Sequence, residues 1–479
     1  MRLNGRIILA AGMVALSVAA VAEEEFAYPP SPERIGNETA AEKAARLKWW
    51  TDARFGMFVH FGVYALPARH EWVKSNEHIP DEVYDSKYVP RFNPDLFDAR
   101  EWARQAKAAG MKYVVLTTKH HDGFCMWDTK TTDYKVTKTP FGRDLVREYV
   151  DACRAEGLRV GFYFSVIDWH HPDFTIDQTH PRRPHEITGP DGKPKLAFTP
   201  EIYARLNEGR DMARYRAYMF AQVKELLTDY GRIDVLWFDY TSKGRYGKTW
   251  KDWDAVELLK LARKLQPGVL VDNRLGLDNT VDGGDFVTPE QFKVTAWPKR
   301  NGERWPWETC QTFSGSWGYH RDEMTWKDPA QLIELLIHTV SFGGNLILNV
   351  GPTGRGAFDW RATERLEAIG RWMKVNGRSI YGCTQAPEEF KAPEGTLLTY
   401  NPEQRLLYVH LLDYPLQTLS IAFGDRVAYA QLLHDASELE IVPARTTQGQ
   451  SGEMEIPAQI RLPVAKPPVL IPVIELYLR

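Results

Sequence analysis

The sequence predicts an α/β fold, a (β/α)₈-like TIM barrel of regular or irregular closure, followed by a C-terminal β-sandwich. First, over roughly 350 residues an amphipathic helix repeatedly ends at a glycine and a short apolar strand follows. Second, these strands are continuously apolar, as in a parallel sheet that is covered on both faces. Third, no GxGxxG or P-loop motif follows any strand, which disfavours a doubly wound sheet.

The predicted elements follow one another in a regular order. The strands are predicted in RFGMFVHFG, MKYVVLTTKHHDG, LRVGFYFSVIDWH, RIDVLWFDY, VLVDNR and NLILNVGP. The helices before the last five of these strands are predicted in EWARQAKAAG, LVREYVDACRAEG, MFAQVKELLTDYG, AVELLKLARKLQPG and LIELLIHTVSFGG. In a barrel of this kind the catalytic residues lie at the C-terminal ends of the strands.

The chain is predicted to have three parts. Residues 1–22 have the pattern of a signal peptide, with a basic start, an apolar run and a small-x-small sequence before Glu23. We therefore expect an exported protein, periplasmic or secreted, without a membrane span after signal removal; an uncleaved anchor is the alternative. Residues 23–384 are assigned to the barrel. Residues 385–479 are assigned to the sandwich, because short alternating runs replace the helical periodicity after the connector TQAPEEFKAPEGT.

Composition and charge exclude some functions. The net charge of −3 and the pI of about 6.5 argue against a nucleic-acid partner. The four cysteines are widely spaced and match no CxxC metal or redox pattern, and the sequence identifies no disulfide pair. The oligomeric state stays open.

Polar residues cluster where the predicted strands end. His120 and His121 follow the apolar strand MKYVVL, and His60, Asp168, Asp239 and Arg274 follow or end other strands. On extended backbone, adjacent residues point to opposite sides, so we expect the His120 and His121 side chains to diverge. Neutral imidazoles, together with Lys119 or Arg274, are suited to binding the hydroxyl groups of a polar ligand.

A carboxylate at the end of the strand VLWFDY is the first candidate for catalysis. Asp239 follows apolar and aromatic residues, where an unused carboxylate is costly to desolvate. Its partner acid would be Glu290 or Glu308. Hydrolysis of a glycoside needs two carboxyl groups, about 5 Å apart for retention and about 6.5–9.5 Å apart for inversion. Structural roles as a helix cap or an ion-pair partner are the alternative for Asp239.

A metal site is the competing interpretation of the histidines. His60, His120, His121 and an aspartate would be its ligands. The expected divergence of His120 and His121, and the absence of an HExxH or His-x-His motif, disfavour it. We therefore predict no metal and no cofactor.

The motifs, taken together and in order, resemble those of the α-L-fucosidases of glycoside hydrolase family 29. The shared sequences are HFG, EW, KHHDGF, GFYFS, DW, LWFD, NR, TPE and SWGY, and they extend over nearly the whole barrel. The resemblance implies a retaining enzyme with a catalytic barrel and a C-terminal β-sandwich. The sandwich itself resembles the family only in position and pattern.

The resemblance also implies roles for individual residues. Asp239 would be the nucleophile and Glu290 the acid/base, with Glu308 as the less favoured alternative. The residues that would bind the fucose hydroxyls are His60, Glu71, Trp72, His120, His121, Tyr163 and Arg274. The aromatic residues that would enclose the sugar's methyl group are Phe58, Trp237 and Trp317. Strand alternation adds that Phe58 shares a face with His60, and Trp237 with Asp239, one layer deeper.

The predicted function is therefore that of an exo-acting retaining α-L-fucosidase that releases L-fucose from fucosylated oligosaccharides or glycoconjugates. A retaining hydrolase of another L-sugar is the main alternative. A non-catalytic fucose-binding protein is less favoured, because both Asp239 and a candidate acid are present, and a metal-dependent hydrolase is less favoured still, given the histidine pattern. The sequence leaves the linkage and the aglycone open.

Overall fold

The computed structural model describes residues 38–188, 194–242, 246–277, 283–300, 302–449 and 452–479. The predicted signal peptide lies outside these residues. Within them, every helix is too short or too polar to span a lipid bilayer.

Seven parallel strands form the main sheet. The strands of the first domain are β1 (Phe55–Val59), β2 (Tyr113–Lys119), β3 (Arg159–Ser165), β4 (Glu186–Thr188), β5 (Pro194–Leu196), β6 (Val235–Asp239), β7 (Leu270–Val271), β8 (Lys299–Arg300), β9 (Glu303–Arg304), β10 (Glu308–Thr312) and β11 (Asn345–Val350). The order in the sheet is β10-β11-β1-β2-β3-β6-β7, whereas β4–β5 and β8–β9 are small hairpins outside it. The six predicted strands are all present. The sequence did not predict β10, because its residues are mostly polar.

An irregular segment, residues 285–291, joins the two edge strands of this sheet. Phe286 bridges Asp272, just beyond β7, and Glu290 bridges Cys310 of β10, both in parallel orientation. Pro289 has no N–H to donate, but its carbonyl accepts a hydrogen bond from the Cys310 N–H at 3.2 Å. The segment therefore takes the eighth position of the barrel and places Glu290 at its mouth. The predicted (β/α)₈-like barrel is confirmed, with this irregular closure.

The helices surround the sheet, and the first of them buries Leu47 and Trp50 against the aromatic side chains inside it. The helices are α1 (Ala40–Ala53), α2 (Val73–Asn76), α3 (Asp81–Tyr88), α4 (Ala99–Ala108), α5 (Leu145–Ala155), α6 (Pro200–Leu206), α7 (Met212–Thr228), α8 (Trp250–Trp253), α9 (Ala255–Leu265), α10 (Pro329–Ser341) and α11 (Trp360–Asn376). Helix α4 shows how the sequence specifies them. Asp98 caps its N-terminus, and Trp102 and Ala106 bury one face. Gly110, with a φ of 89°, ends the helical segment just before β2.

The second domain contains two antiparallel sheets and a hairpin. Its strands are β12 (Thr384–Gln385), β13 (Thr396–Asn401), β14 (Leu406–Leu411), β15 (Thr418–Ile421), β16 (Val427–Leu432), β17 (Ile441–Val442), β18 (Arg445–Gly449), β19 (Gly452–Ile456), β20 (Ala458–Arg461) and β21 (Val473–Leu478). The sheet orders are β12-β13-β14-β21-β16 and β15-β20-β17, and β18 pairs with β19. These sheets agree with the predicted sandwich, whose first strand begins at 384, one residue before the predicted boundary.

The two domains share buried polar contacts. The Trp372 indole of α11 donates to the Ile471 carbonyl at 2.9 Å. Glu475 of β21 is buried and pairs with Arg378, just after α11, at 2.5 Å. Each contact satisfies a polar group that would otherwise be costly to bury. All four cysteines of the sequence are buried and free of disulfides.

The inside of the barrel is filled by large aromatic side chains. Phe58 of β1, Tyr113 of β2, Tyr163 of β3 and Trp237 of β6 belong to one buried cluster inside the sheet. Gly56 of β1 makes room for one of them, because a Cβ at that position would overlap the Tyr113 ring. The barrel therefore has a closed aromatic floor rather than a channel.

Candidate active site

A cavity of about 640 Å³ opens at the C-terminal ends of the barrel strands. This is the face on which barrel enzymes carry their catalytic residues. The predicted site residues that line it are Phe58, His60, Trp72, His120, His121, Tyr163, Trp237, Asp239, Arg274, Glu290 and Trp317. Of the predicted set, only Glu71 is absent from the lining.

Asp239, the last residue of β6, accepts hydrogen bonds at both carboxylate oxygens. The Tyr163 hydroxyl donates to Oδ2 at 2.8 Å, and Nη1 of Arg274 donates to Oδ1 at 2.9 Å. Nε2 of His121 lies 3.8 Å from Oδ2. Donors on both oxygens hold the carboxylate in one orientation, with 14% of the side chain exposed to the cavity. This arrangement presents a carboxylate oxygen in a fixed position, which is what a nucleophile needs.

Glu290 lies beside Asp239 across a shared arginine. Nη1 of Arg274 is 2.9 Å from Oδ1 of Asp239 and 2.8 Å from Oε2 of Glu290. These two oxygens are therefore no more than about 5.7 Å apart, the sum of the two distances. Glu290 is 44% exposed, so its carboxyl group can reach a ligand that enters the cavity.

Glu308 lies elsewhere, below the cavity at the start of β10. Its side chain is fully buried and accepts hydrogen bonds from the Trp50 and Trp237 indoles, at 3.2 and 3.3 Å, and from the Tyr113 hydroxyl. Burial raises the pKa of Glu308 to about 7. Because aromatic rings separate it from the cavity, Glu308 does not reach the position of a leaving group, and the geometry favours Glu290 as the acid/base.

Both histidines of the KHHDGF motif face the cavity, so the expectation that they diverge is wrong. Strand β2 ends at Lys119, and a turn closes immediately after it, where the Gly123 N–H donates to the His120 carbonyl at 3.0 Å. Gly123 has a φ of 80°, which favours glycine. Strand alternation no longer applies beyond Lys119, and the two rings lie 4.1 Å apart, centroid to centroid.

The imidazoles of the site are neutral. Burial lowers the pKa of His60 and of His121 to about 3, and that of His120 well below its ordinary value. Nδ1 of His60 contacts the Asn349 carboxamide oxygen at 2.6 Å, and Nδ1 of His121 contacts the Ser165 hydroxyl at 2.7 Å. The two partners have their own acceptors, the carbonyls of Trp317 and Ile167. Each Nδ1 therefore carries the proton, and each Nε2 is left as a hydrogen-bond acceptor.

The sequence model of the family described as "Alpha-L-fucosidase" matches residues 26–378. The chain belongs to this family. The enzymes of the family, glycoside hydrolase family 29, retain the anomeric configuration, and the chain is accordingly a glycoside hydrolase of the α-L-fucosidase class.

Solved and curated α-L-fucosidases agree with this assignment. Alpha-L-fucosidase isoenzyme 1 from Paenibacillus thiaminolyticus is 42% identical, with a TM-score of 0.80 over 91% of this chain and 99% of that chain. An enzyme from Bacteroides thetaiotaomicron, trapped as a covalent intermediate with 2-fluoro-fucosyl fluoride, is 29% identical, with a TM-score of 0.74 over 94% of this chain and 100% of that chain. The plasma alpha-L-fucosidase of Rattus norvegicus is 30% identical over 77% of this chain and 78% of its own length.

In this α-L-fucosidase fold, Glu71 lies behind the wall of the cavity. It is fully buried, and its Oε2 accepts hydrogen bonds from the backbone N–H groups of Trp317 and Gly318, at 3.1 and 2.8 Å. Its Oε1 lies 3.2 Å from Nδ1 of His70. The structure therefore places Glu71 where it holds the Trp317 loop, rather than among the residues that line the fucosidase cavity.

Lys119 also lies away from the cavity, although its position at the end of β2 predicted a ligand contact. It is fully buried and pairs with Asp168 at 3.2 Å. Asp168 accepts hydrogen bonds from the backbone N–H groups of His170 and His171 as well. This ion pair joins β2 to the loop after β3. Its contacts are structural, so of the two cations that the sequence offered as alternatives, Lys119 and Arg274, it is Arg274 that lines the cavity.

Several lining residues escaped the sequence analysis. Tyr240 has a φ of 89°, a rare value for an aromatic residue, and this turn directs its ring into the cavity directly after Asp239. Gln178 comes from a loop, Trp250 is the first residue of α8, and Cys310 comes from β10. Among the described residues, no group of three or more His, Cys, Asp or Glu side chains has the arrangement of a metal site. The aromatic type of Tyr240 and Trp250 was the one signal available from the sequence.

Proposed function

We propose that Asp239 and Glu290 are the nucleophile and the acid/base with which this α-L-fucosidase releases a terminal L-fucose. Asp239 attacks the anomeric carbon and forms a covalent glycosyl-enzyme, while the Glu290 carboxyl group gives its proton to the departing glycosidic oxygen. Glu290 then takes a proton from water, which attacks the same carbon and releases Asp239. Two displacements at one carbon retain the configuration.

The observation that carries this assignment is the arginine bridge. Retaining glycosidases have their two carboxyl groups about 5–5.5 Å apart, and inverting enzymes have them about 6.5–9.5 Å apart. The bound of about 5.7 Å between Oδ1 of Asp239 and Oε2 of Glu290, set by Arg274, agrees with the retaining class. The carboxyl groups of Asp239 and Glu308 share no such bridge.

The cavity also suits fucose itself. Acceptor nitrogens on His60 and His121 face the ligand, and sugar hydroxyls are the donors they would take. Phe58 and Trp237 lie beneath, with ring centroids 5.2 Å apart and less than 2% exposure each. An apolar floor fits the methyl group of fucose, whose burial contributes on the order of 1 kcal/mol. A cavity with a closed floor accepts a terminal sugar, so the proposed action is exo.

The substrates of α-L-fucosidases are fucosylated glycans. The linkage and the aglycone depend on the outer lining of the cavity. Purified protein assayed on a panel of α1,2-, α1,3-, α1,4- and α1,6-fucosylated oligosaccharides would rank them.

The nucleophile is tested by Asp239→Gly. We expect turnover of an aryl α-L-fucoside to fall on the order of 10⁴-fold, because no covalent intermediate can form. Added azide should enter the vacated space, restore part of the rate and yield β-L-fucosyl azide. Asp229→Gly, at the solvent-exposed end of α7, is the matched control and should retain native rates. Substantial activity of Asp239→Gly without azide would overturn the assignment.

Export is a separate proposal, supported by the signal-peptide pattern of residues 1–22. Cleavage after Ala22 would leave Glu23 as the first residue of the mature chain. N-terminal sequencing of protein recovered from outside the cytoplasm tests it. A mature chain that still begins with Met1 would contradict it.

A further inference from the structure

A buried carboxylate lies directly under the sugar site without touching it. Glu308 is fully buried, and three donors from three elements converge on it. Trp237 of β6 donates to Oε1 at 3.3 Å, whereas Trp50 of α1, at 3.2 Å, and Tyr113 of β2 donate to Oε2. A carboxylate in an aromatic interior is costly to desolvate. Aromatic packing alone would have filled this space.

The groups around Glu308 are dipoles rather than charges. Trp50 and Trp237 present indole N–H groups, Tyr113 presents a hydroxyl, and Cys310 lies two residues along the same strand. Either protonation state of Glu308 keeps a lone pair on Oε1 for the Trp237 indole. The contact to Trp237 is therefore independent of pH, and the carboxyl group acts as a fixed acceptor.

Trp237 links this acceptor to the reacting groups. Its ring lies against the Arg274 guanidinium, 4.4 Å from the ring centroid, and is stacked with Tyr163 at 6.0 Å. Arg274 donates to Asp239 and pairs with Glu290, and Tyr163 donates to Asp239. A rotation of the indole would displace both groups that orient the Asp239 carboxylate.

We propose that Glu308 is a positioning residue that holds the Trp237 indole in the orientation required by the apolar end of the sugar site. It touches no substrate and acts through Trp237. The inference rests on the proposed function for its readout, since the sugar that contacts Trp237 is taken to be fucose. Of the two carboxyl oxygens of Glu308, only Oε1 contacts Trp237. Loss of the Oε1 contact should therefore change the sugar site, whereas loss of a donor to Oε2 should not.

The test is the ratio of kcat/KM for an aryl α-L-fucoside to that for the matching α-L-galactoside, which adds one hydroxyl at C6. A fixed apolar floor should give a native preference of about 100-fold. The ratio is insensitive to the folded fraction, because a loss of active protein lowers both constants equally. A purely structural role of Glu308 therefore leaves the ratio unchanged.

Glu308→Leu removes the acceptor without leaving a buried charge and should reduce the ratio at least fivefold. Trp237→Phe keeps an aromatic ring but deletes the indole N–H and should reduce it similarly. The double variant Glu308→Leu/Trp237→Phe should have the same fucoside-to-galactoside ratio as Trp237→Phe alone or a higher one, because both changes remove one and the same contact. Glu308→Gln keeps an oxygen for Trp237 and should restore most of the preference.

Trp50→Phe is the matched control, since it deletes a donor to the same carboxylate on the side away from the sugar. Its ratio should stay within twofold of the native value. A native-like ratio in Glu308→Leu or in Trp237→Phe would overturn this inference but leave the proposed function standing. If Glu308→Leu does not fold, Trp237→Phe decides the test. A native protein that fails to hydrolyse the fucoside would overturn the proposed function and, with it, the inference.

Discussion

The mouth and the floor of the barrel contain two glutamates only 18 residues apart, and their surroundings differ completely. Glu290 at the mouth is 44% exposed and pairs with Arg274 at 2.8 Å. Glu308 at the floor is fully buried and is bound by two indoles and a phenol. Burial without a neighbouring cation raises the pKa of Glu308 to about 7.

The difference shows that the backbone decides which carboxyl group meets the substrate. Glu290 belongs to the irregular segment 285–291, which passes the mouth of the barrel. Glu308 begins the regular strand β10, whose first residue lies at the opposite end from the mouth. Both residues come from the same stretch of polar and aromatic sequence. The proposed roles, chemistry for the mouth residue and support for the floor residue, therefore rest on the tertiary position of each backbone segment rather than on residue type.

The largest expected effect is on kcat/KM, and its dependence on the leaving group of the substrate distinguishes Glu290 from Glu308. Glu290→Ala should lower kcat/KM by about 10²–10⁴-fold for fucosides with poor leaving groups, and much less for an activated aryl fucoside, because protonation matters less as the leaving group improves. A Brønsted plot over aryl fucosides measures it. Glu308→Gln serves as the control and should show no added dependence on the leaving group. The opposite pattern would exchange the two assignments.

The next effect concerns a charged pair that borders the mouth without entering it. Lys119→Met should lower the free energy of unfolding by about 3–5 kcal/mol, because it leaves Asp168 buried and unpaired. Urea unfolding measures this loss. The double variant with Asp168→Asn should recover part of it.

Arg321→Met provides the control for Lys119. It breaks a pair with Asp322 in which both side chains are 67% exposed, and it should leave the free energy of unfolding essentially unchanged, because solvent screens such a pair. If Lys119→Met is equally mild, the described ion pair does not support the site.

The smallest expected effect is the change of the free energy of unfolding with pH that the titration of Glu308 causes. The pKa of Glu308 is raised from 4.5 to about 7 by burial. Below pH 4.5 the group is protonated in both the folded and the unfolded chain. As the pH rises toward about 7, the unfolded chain releases the proton first, so the native state loses stability, by about 3 kcal/mol in all.

Glu308→Gln lacks this titration. Its stability relative to the native protein should therefore increase between about pH 4.5 and 7 and stay level above, as measured by urea unfolding across this range. Glu303→Gln, on the exposed hairpin before β10, is the control for loss of a surface charge. A stability difference that does not change with pH in the Glu308 variant would contradict the raised pKa.

Much of the fold followed from local patterns. The helix–glycine–strand pattern identified five of the seven strands of the main sheet, and the apolar run RFGMFVHFG identified β1, because buried parallel strands are continuously apolar. Strand β10 was missed, since Glu308, Thr309, Gln311 and Thr312 are polar and yet buried. The closing segment 285–291 was also missed as an element. It contains Pro289 and pairs through isolated bridges only, so its sequence has no strand-like alternation of apolar and polar residues.

By itself the sequence determined the barrel, the sandwich, the strand-end positions of His60 and Asp239, and the family, because these depend on residues close together in the chain. Only the tertiary structure decided the contacts between distant segments. It placed Glu290 within about 5.7 Å of Asp239, Glu308 under the floor and Glu71 behind Trp317. It also turned both KHHDGF histidines into the cavity. The physical reason is that side-chain direction beyond a strand end, and distances across a barrel, are set by turns and closure rather than by the period of the strand.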